Sequence, residues 1–128
     1  MQFARWVFRA AGVLGLLMMV PLYFLEERIG REQPPPVTHP EFFYGFAGVT
    51  IAWQIAFLIM SLDPPRYRPL MPAAMVEKFS FVIAIGVLYS LGRVAMPMVA
   101  AALFDGTLGI LFVFAYLRCP RLPAAPSV

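Results

Sequence analysis

The chain has 128 residues, of which 61% are hydrophobic and 13% charged, with a net charge of +3 at neutral pH. Soluble domains run nearer roughly 45–50% apolar and 25% charged, and a chain this short cannot fold the surplus into its own core. A water-soluble globule is excluded, and lipid must solvate most side chains. No basic run with interleaved polar residues suggests nucleic acid, and the one cysteine, Cys119, excludes an internal disulfide and any multi-cysteine metal site.

The first apolar segment covers about Phe3 to Leu25, with Arg5 and Arg9 at its start. A basic start before an apolar run also describes a signal peptide. The run, however, ends Pro-Leu-Tyr-Phe-Leu-Glu-Glu without a small-residue cleavage site, and its length suits a membrane span. It reads as a retained helix. Glu26 to Pro40 forms a polar linker in which Pro34, Pro35 and Pro36 forbid a helix and favour extended backbone. A second segment runs from about Glu41 to Leu62 and stops at Asp63-Pro64-Pro65. The third starts near Pro72 and ends at about Gly92, and the fourth runs from Pro97 to Arg118; proline suits the first helical position in both. The short connection between them predicts an antiparallel hairpin.

Lys and Arg divide unequally between the two ends of this arrangement. One end carries Arg5, Arg9, Arg66, Arg68, Lys78, Arg118 and Arg121; the other carries Arg28, Arg31 and Arg93 beside Glu26, Glu27, Glu32 and Glu41. The positive-inside rule then predicts both termini in the cytoplasm.

Packing in lipid depends on small residues and interhelical hydrogen bonds. The second segment places Glu41, Gly45, Gly48, Ala52 and Ala56 in one sector and Ala47, Thr50, Gln54 and Ser61 nearly opposite. Two such sectors predict neighbours on both sides. The other segments each offer a seam: Ala11, Gly12 and Gly15; Gly86, Ser90 and Arg93; Ala101, Ala102, Asp105, Gly106 and Gly109. The whole chain, residues 1–128, therefore reads as one all-α domain, an integral membrane four-helix bundle.

Asp105 is the most informative residue, because a carboxyl near the hydrocarbon midplane must face the bundle and find a partner. Gln54 lies at similar depth and suits a hydrogen bond to it, with Arg93 approaching from above. These three form the candidate ligand-binding set; a polar clamp between helices is the other reading of the same residues. Glu77 is expected to turn inward towards Arg66 or Arg68, while Lys78 snorkels to the headgroups. Arg66, Arg68 and Lys78 thus make a candidate lipid-headgroup set. His39 and Glu41 flank Pro40, and Glu41 suits the positive end of a helix dipole. Too few ligands surround them for a metal site, and no cofactor is implied. Cys119, beside Arg118 and just past the last span, occupies a position where acylation occurs, or is simply a free thiol. No Ser/His/Asp set, phosphate loop or HExxH motif is present.

Several stretches together resemble an uncharacterised family of small bacterial inner-membrane proteins with four predicted spans. They are His-Pro-Glu-Phe-Phe-Tyr-Gly-Phe at 39–46, Ala-Trp-Gln at 52–54, Asp-Pro-Pro-Arg-Tyr-Arg-Pro-Leu-Met at 63–71, Glu-Lys-Phe-Ser-Phe at 77–81, Leu-Tyr-Ser-Leu-Gly-Arg at 88–93 and Asp105. The resemblance implies inner-membrane location and helix count, and no activity. A looser similarity to the emopamil-binding type of sterol isomerase would assign His39, Glu41, Asp63, Tyr67 and Glu77. Here, though, Pro64-Pro65 interrupts the later motif and His39 precedes its helix. Small multidrug-type exporters carry a glutamate within the first span, and this chain has none before Glu26. The expected function is a non-catalytic bundle, either a subunit or a lipid-interacting protein, with membrane lipids and a sister chain or partner subunit as its neighbours. The alternative is a site at Asp105 for a lipophilic or anionic small molecule, enzyme-like or transporter-like.

Overall fold

The computed structural model describes residues 1–123, which form helices and turns. Helix α1 spans Gln2–Met19 and tightens into a 3-10 stretch, Val20–Phe24, around Pro21. Proline's missing N–H and its clash with the preceding turn explain the tightening there. A short helix α2, Glu26–Glu32, follows where the proline content predicts extended linker. Glu26 and Glu27 sit in its first turn and Arg31 in its last, matching the helix dipole. The prolines occupy only the later half of the linker and end the helix ahead of them. The Tyr44 hydroxyl donates to Glu26 Oε2 at 2.6 Å and fastens this segment to the next helix.

Helix α3 is Pro40–Leu62, with proline at its first position. Asp63 then caps a single turn, α4, Pro64–Tyr67, its side chain accepting from the Arg66 amide at 3.5 Å. A 3-10 turn, Arg68–Leu70, leads into α5, Met71–Ser90. The α5 C-terminus is a Schellman motif: Arg93 N–H bonds to Leu88 O and Gly92 N–H to Tyr89 O, with Gly92 at φ 67°. That left-handed residue is where glycine is needed. Helix α6, Met96–Arg118, begins from extended Ala95 with Pro97 in its first turn.

Helix α1 packs against α3 and α6, and α5 packs against α6 in the expected hairpin. At the centre Phe8 stacks on Phe112 (centroids 4.5 Å apart) and Phe57 meets Phe112 edge-on at 5.0 Å. Ala4, Ala11, Met60, Met71, Ala74 and Ala115 complete this core. The outward faces are also apolar: Leu17, Leu103 and Leu117 are each 68% exposed. Four helical runs, Gln2–Phe24, Pro40–Leu62, Pro64–Ser90 and Met96–Arg118, are long and apolar enough to cross a membrane. An aliphatic surface on both the inside and the outside of each helix is costly in water and ordinary in lipid.

The seams are used selectively. Ala47, Gln54 and Ser61 of α3 are buried, and α1 closes on this sector at its glycines. A Cβ at Gly12 would lie 2.8 Å from the Gln54 carbonyl oxygen, and one at Gly15 would overlap the Gln54 side chain. The opposite sector of α3 is largely unpartnered: Ala52 is exposed and nothing approaches Gly45 within 4 Å, although Gly48 faces the Tyr23 hydroxyl. Sectors on both sides predict two neighbours, whereas backbone-close packing occurs on one. Between α5 and α3, the Phe46 and Phe81 rings stack at 6.4 Å.

Candidate functional site

The chain's single lysine, Lys78, lies fourteen residues after Pro64 and twelve before Ser90, at the middle of that helical run. Met71, Ala74, Lys78 and Ile85 fall on one buried stripe of α5. Ala102, Leu108, Gly109, Phe112 and Ala115 form the corresponding stripe of α6, and Asp105 stands among them by helical spacing. Gly109 lets the two helices approach: a Cβ there would lie 2.9 Å from the Phe79 ring and 3.3 Å from Lys78 Cβ. The backbone contact thereby delivers the lysine to the aspartate.

Lys78 Nζ donates to Asp105 Oδ1 at 3.1 Å. It also lies 3.3 Å from Glu77 Oε2, within ion-pair distance. That second contact lacks hydrogen-bond geometry, so among the described residues Oε2 is enclosed without a hydrogen-bond partner. The Phe57 ring of α3 faces the ammonium, 5.3 Å from Nζ to centroid. The Lys78 side chain is 4% exposed, against 15% for Glu77 and 20% for Asp105. An isolated ammonium here would be expelled or neutralised. Direct contact with a carboxylate and a ring face offsets that cost. One cation thus faces two carboxyl groups.

Lys78 therefore does not snorkel to the headgroups, which corrects the sequence expectation. The helical run starts at Pro64, not Pro72, so residue 78 lies well inside it, and Asp105 supplies the counter-charge that makes burial tolerable. Glu77 likewise meets its neighbour Lys78 instead of Arg66 or Arg68. The predicted trio of Asp105, Gln54 and Arg93 is not joined by hydrogen bonds. Gln54 Nε2 bonds its own helix at Thr50 O (3.1 Å), while its Oε1 is enclosed and has no hydrogen-bond partner among the described residues. Arg93 is exposed in the α5–α6 turn, and Asp105 lies nine residues into α6, about 13 Å along its axis.

Arg66 and Arg68 stay at the end of the bundle shared with Arg118. Arg68 Nε donates to Cys119 O at 3.0 Å and its guanidinium lies 3.9 Å from the Tyr116 ring centroid. Cys119 is buried, and burial pushes its thiol up against the opposing pull of Arg68. His39 pairs with Glu41 at 3.3 Å, both exposed, at the opposite end of α3 from Asp63. Twenty-two residues of helix, about 33 Å, separate Glu41 from Asp63. The sterol-isomerase set is consequently not brought together.

Two open, shallow concavities lie on the surface among the described residues. One of 340 Å³ is lined by Glu26, Glu27, Gly30, Arg31, Pro36 and Val37; the other, a 390 Å³ groove, lies along Val13, Leu16, Leu17, Val20 and Pro21. Neither touches Lys78 or Asp105. No family model, curated protein or solved structure matches the chain.

Proposed function

We propose that the protein is a non-catalytic four-helix bundle of the bacterial inner membrane, a subunit or small lipid-interacting protein, in which Lys78 and Asp105 orient α5 against α6. The observation that carries this reading is the engagement of the ammonium. Lys78 is the only lysine and is almost fully buried, and its closest polar contact is the Asp105 carboxylate of the neighbouring helix. A nucleophile or general base needs access to a substrate; this ammonium is packed between a carboxylate, a glycine contact and a ring. The small-residue sector of α3 at Gly45 and Ala52 belongs to the same reading, as the face where a second copy or partner subunit packs.

Asp105→Asn tests it, with thermal unfolding in detergent and a small-molecule thermal-shift screen read on both proteins. The amide oxygen still accepts from Lys78, so a clamp predicts a folded variant, a modest loss of stability and the same screen profile as wild type. A ligand that stabilises wild type and not Asp105→Asn would instead establish a binding site.

That second reading, a site for a lipophilic or anionic molecule around Asp105, Gln54 and Arg93, has one observation in its favour. The Asp105 carboxyl retains one-fifth exposure and shares its one cation with the Glu77 carboxyl. An excess of carboxyl groups argues against an anionic ligand at that point.

The orientation we propose has both termini in the cytoplasm, supported by the gathering of Arg5, Arg9, Arg66, Arg68, Arg118 and Arg121 at one end. In a Cys119→Ser background, a cysteine placed in the 26–40 linker should react with a membrane-impermeant maleimide from the periplasmic side. Labelling from the cytoplasmic side alone would reverse the orientation.

A further inference from the structure

The cluster at mid-membrane has one more acidic group than basic. Its ammonium is committed to Asp105 by a hydrogen bond, and Glu77 has only the poorly aligned 3.3 Å contact. Among the described residues no other cation pairs with either carboxyl. The arginines all lie within about two turns of a helix end or in the connecting segments. A second carboxyl at this depth calls for a second cation, which the chain does not supply.

Glu77 faces a particular side of α5. Phe79, the residue after Lys78, and Val82 turn towards Gly109 and Gly106 of α6. Glu77, the residue before Lys78, points about 100° the other way. That is the side of Phe81, one turn on, which stacks on Phe46 of α3. Helices α3 and α5 share no extended backbone contact, unlike α1 with α3 or α5 with α6. Next to Glu77 around α5 come Ala84 and Ser80, both exposed. On α3, Gln54 and Leu58 turn to α1, while Phe46 and Phe57 turn to α5. Gly45 and Ala52 lie opposite the α1 side, bordering Phe46 and Phe57; both are exposed, and nothing approaches Gly45 within 4 Å. The outer groove between α3 and α5 thus has small residues on both flanks and a carboxyl between them, 15% exposed. Small flanks admit the backbone of a third helix, and the carboxyl selects its side chain. A second copy is the wrong occupant, because a two-fold axis through this groove would set Glu77 beside Glu77.

We propose that the groove between α3 and α5 takes one transmembrane helix of a different protein, carrying a lysine or arginine at mid-membrane that pairs with Glu77. The proposal rests on the subunit form of the reading above and names the partner's chemistry.

The test uses the full chain with Cys119→Ser and a donor fluorophore on Gln33→Cys, in the linker. It is reconstituted in phosphatidylcholine vesicles with an acceptor-labelled model helix of leucine and alanine, whose central residue is either lysine or leucine. Energy transfer is read against helix mole fraction. Wild type is expected to bind the lysine helix about tenfold more tightly than the leucine helix, and Glu77→Gln to lower that preference about fivefold. Ala84→Leu, at an exposed position, crowds the groove and should weaken binding of the lysine helix; it serves where Glu77→Gln does not fold. Leu103→Ala, on the exposed face of α6, should change nothing. Equal binding of the two helices by wild type overturns the proposal, as does a preference that survives both Glu77→Gln and Ala84→Leu. Transfer between labelled copies of the chain itself, lost in Ala84→Leu, would put a second copy in the groove and overturn it equally. The clamp is read separately, by unfolding and ligand screening of Asp105→Asn without any added helix, so its failure is distinguishable from failure here.

Discussion

Removing the aspartate from the Lys78–Asp105 pair is the sharpest perturbation of the bundle. At 3.1 Å two opposite charges attract by about 5 kcal/mol at an effective dielectric constant near 20. Desolvation of a lysine that is 4% exposed offsets much of that gain. The reference that decides the matter is the neutral interhelical hydrogen bond in a bilayer, which averages only about 0.6 kcal/mol. An ionised pair should exceed it clearly, with a coupling of about 2 kcal/mol in a cycle of Lys78→Met, Asp105→Leu and the double variant. Asp105→Leu alone should cost about 3 kcal/mol, because Lys78 is left buried with only the poorly aligned Glu77 contact. Lys78→Met should cost less, since Asp105 is one-fifth exposed and so less fully desolvated than Lys78. The double variant should recover most of the loss. Reversible unfolding in mixed micelles, titrated with a denaturing detergent, measures all four. Strict additivity, with a coupling below about 0.5 kcal/mol, would show that the two side chains do not support each other.

Four further outcomes follow from the packing and the backbone. Gly12→Ala drives a methyl to 2.8 Å from a backbone oxygen of α3, which cannot swing aside; it should destabilise by about 1–3 kcal/mol in the same assay. Gly45→Ala meets nothing within 4 Å and gains helix propensity, so it should be neutral or slightly stabilising in a lone chain. Substantial loss there would reveal a neighbouring subunit on that face. Gly92→Ala must hold φ 67° and should cost about 1–2 kcal/mol. Cys119 is buried, with its thiol pushed up by that burial. Less thiolate is present at a given pH than in a free cysteine, so maleimide labelling of the native protein should lag the unfolded chain and rise only at more alkaline pH. Equal rates at neutral pH would contradict the buried position.

Span number and most boundaries were legible because membrane helices announce themselves by length and by proline at their first turns: Pro40, Pro72 and Pro97 all lie at helix starts. Helix α2 is hidden in the sequence because the three prolines that mark the linker as extended lie only in its later half. The site was half legible. Asp105 stands out as a carboxyl in an apolar run, but depth alone points to Gln54 of α3 as its partner. With a helix starting at Pro72, Lys78 falls near the headgroups, and the spacing from that start does not show its burial. Two signals pointed the other way: it is the only lysine among nine arginines, and it stands in phase with Met71, Ala74 and Ile85. Its position on the packed stripe outweighs the general tendency of lysine to reach for headgroups. The glycines of α3 misled for a related reason. A small-residue stripe marks where a helix can approach another, and only the stripe holding Gln54 met one.

The contact at the centre of this account can be measured directly in a bilayer. With one lysine and two aspartates in the chain, labelling lysine at ¹⁵Nζ and aspartate at ¹³Cγ makes the dipolar coupling nearly unambiguous, and Asp63→Asn removes the other candidate. Rotational-echo double resonance on the protein in lipid should give a strong dephasing corresponding to an Nζ–Cγ separation of about 4 Å, as expected of a directly hydrogen-bonded ion pair. No dephasing beyond natural abundance would place Lys78 away from Asp105, in contact with headgroups or solvent, and would contradict the clamp.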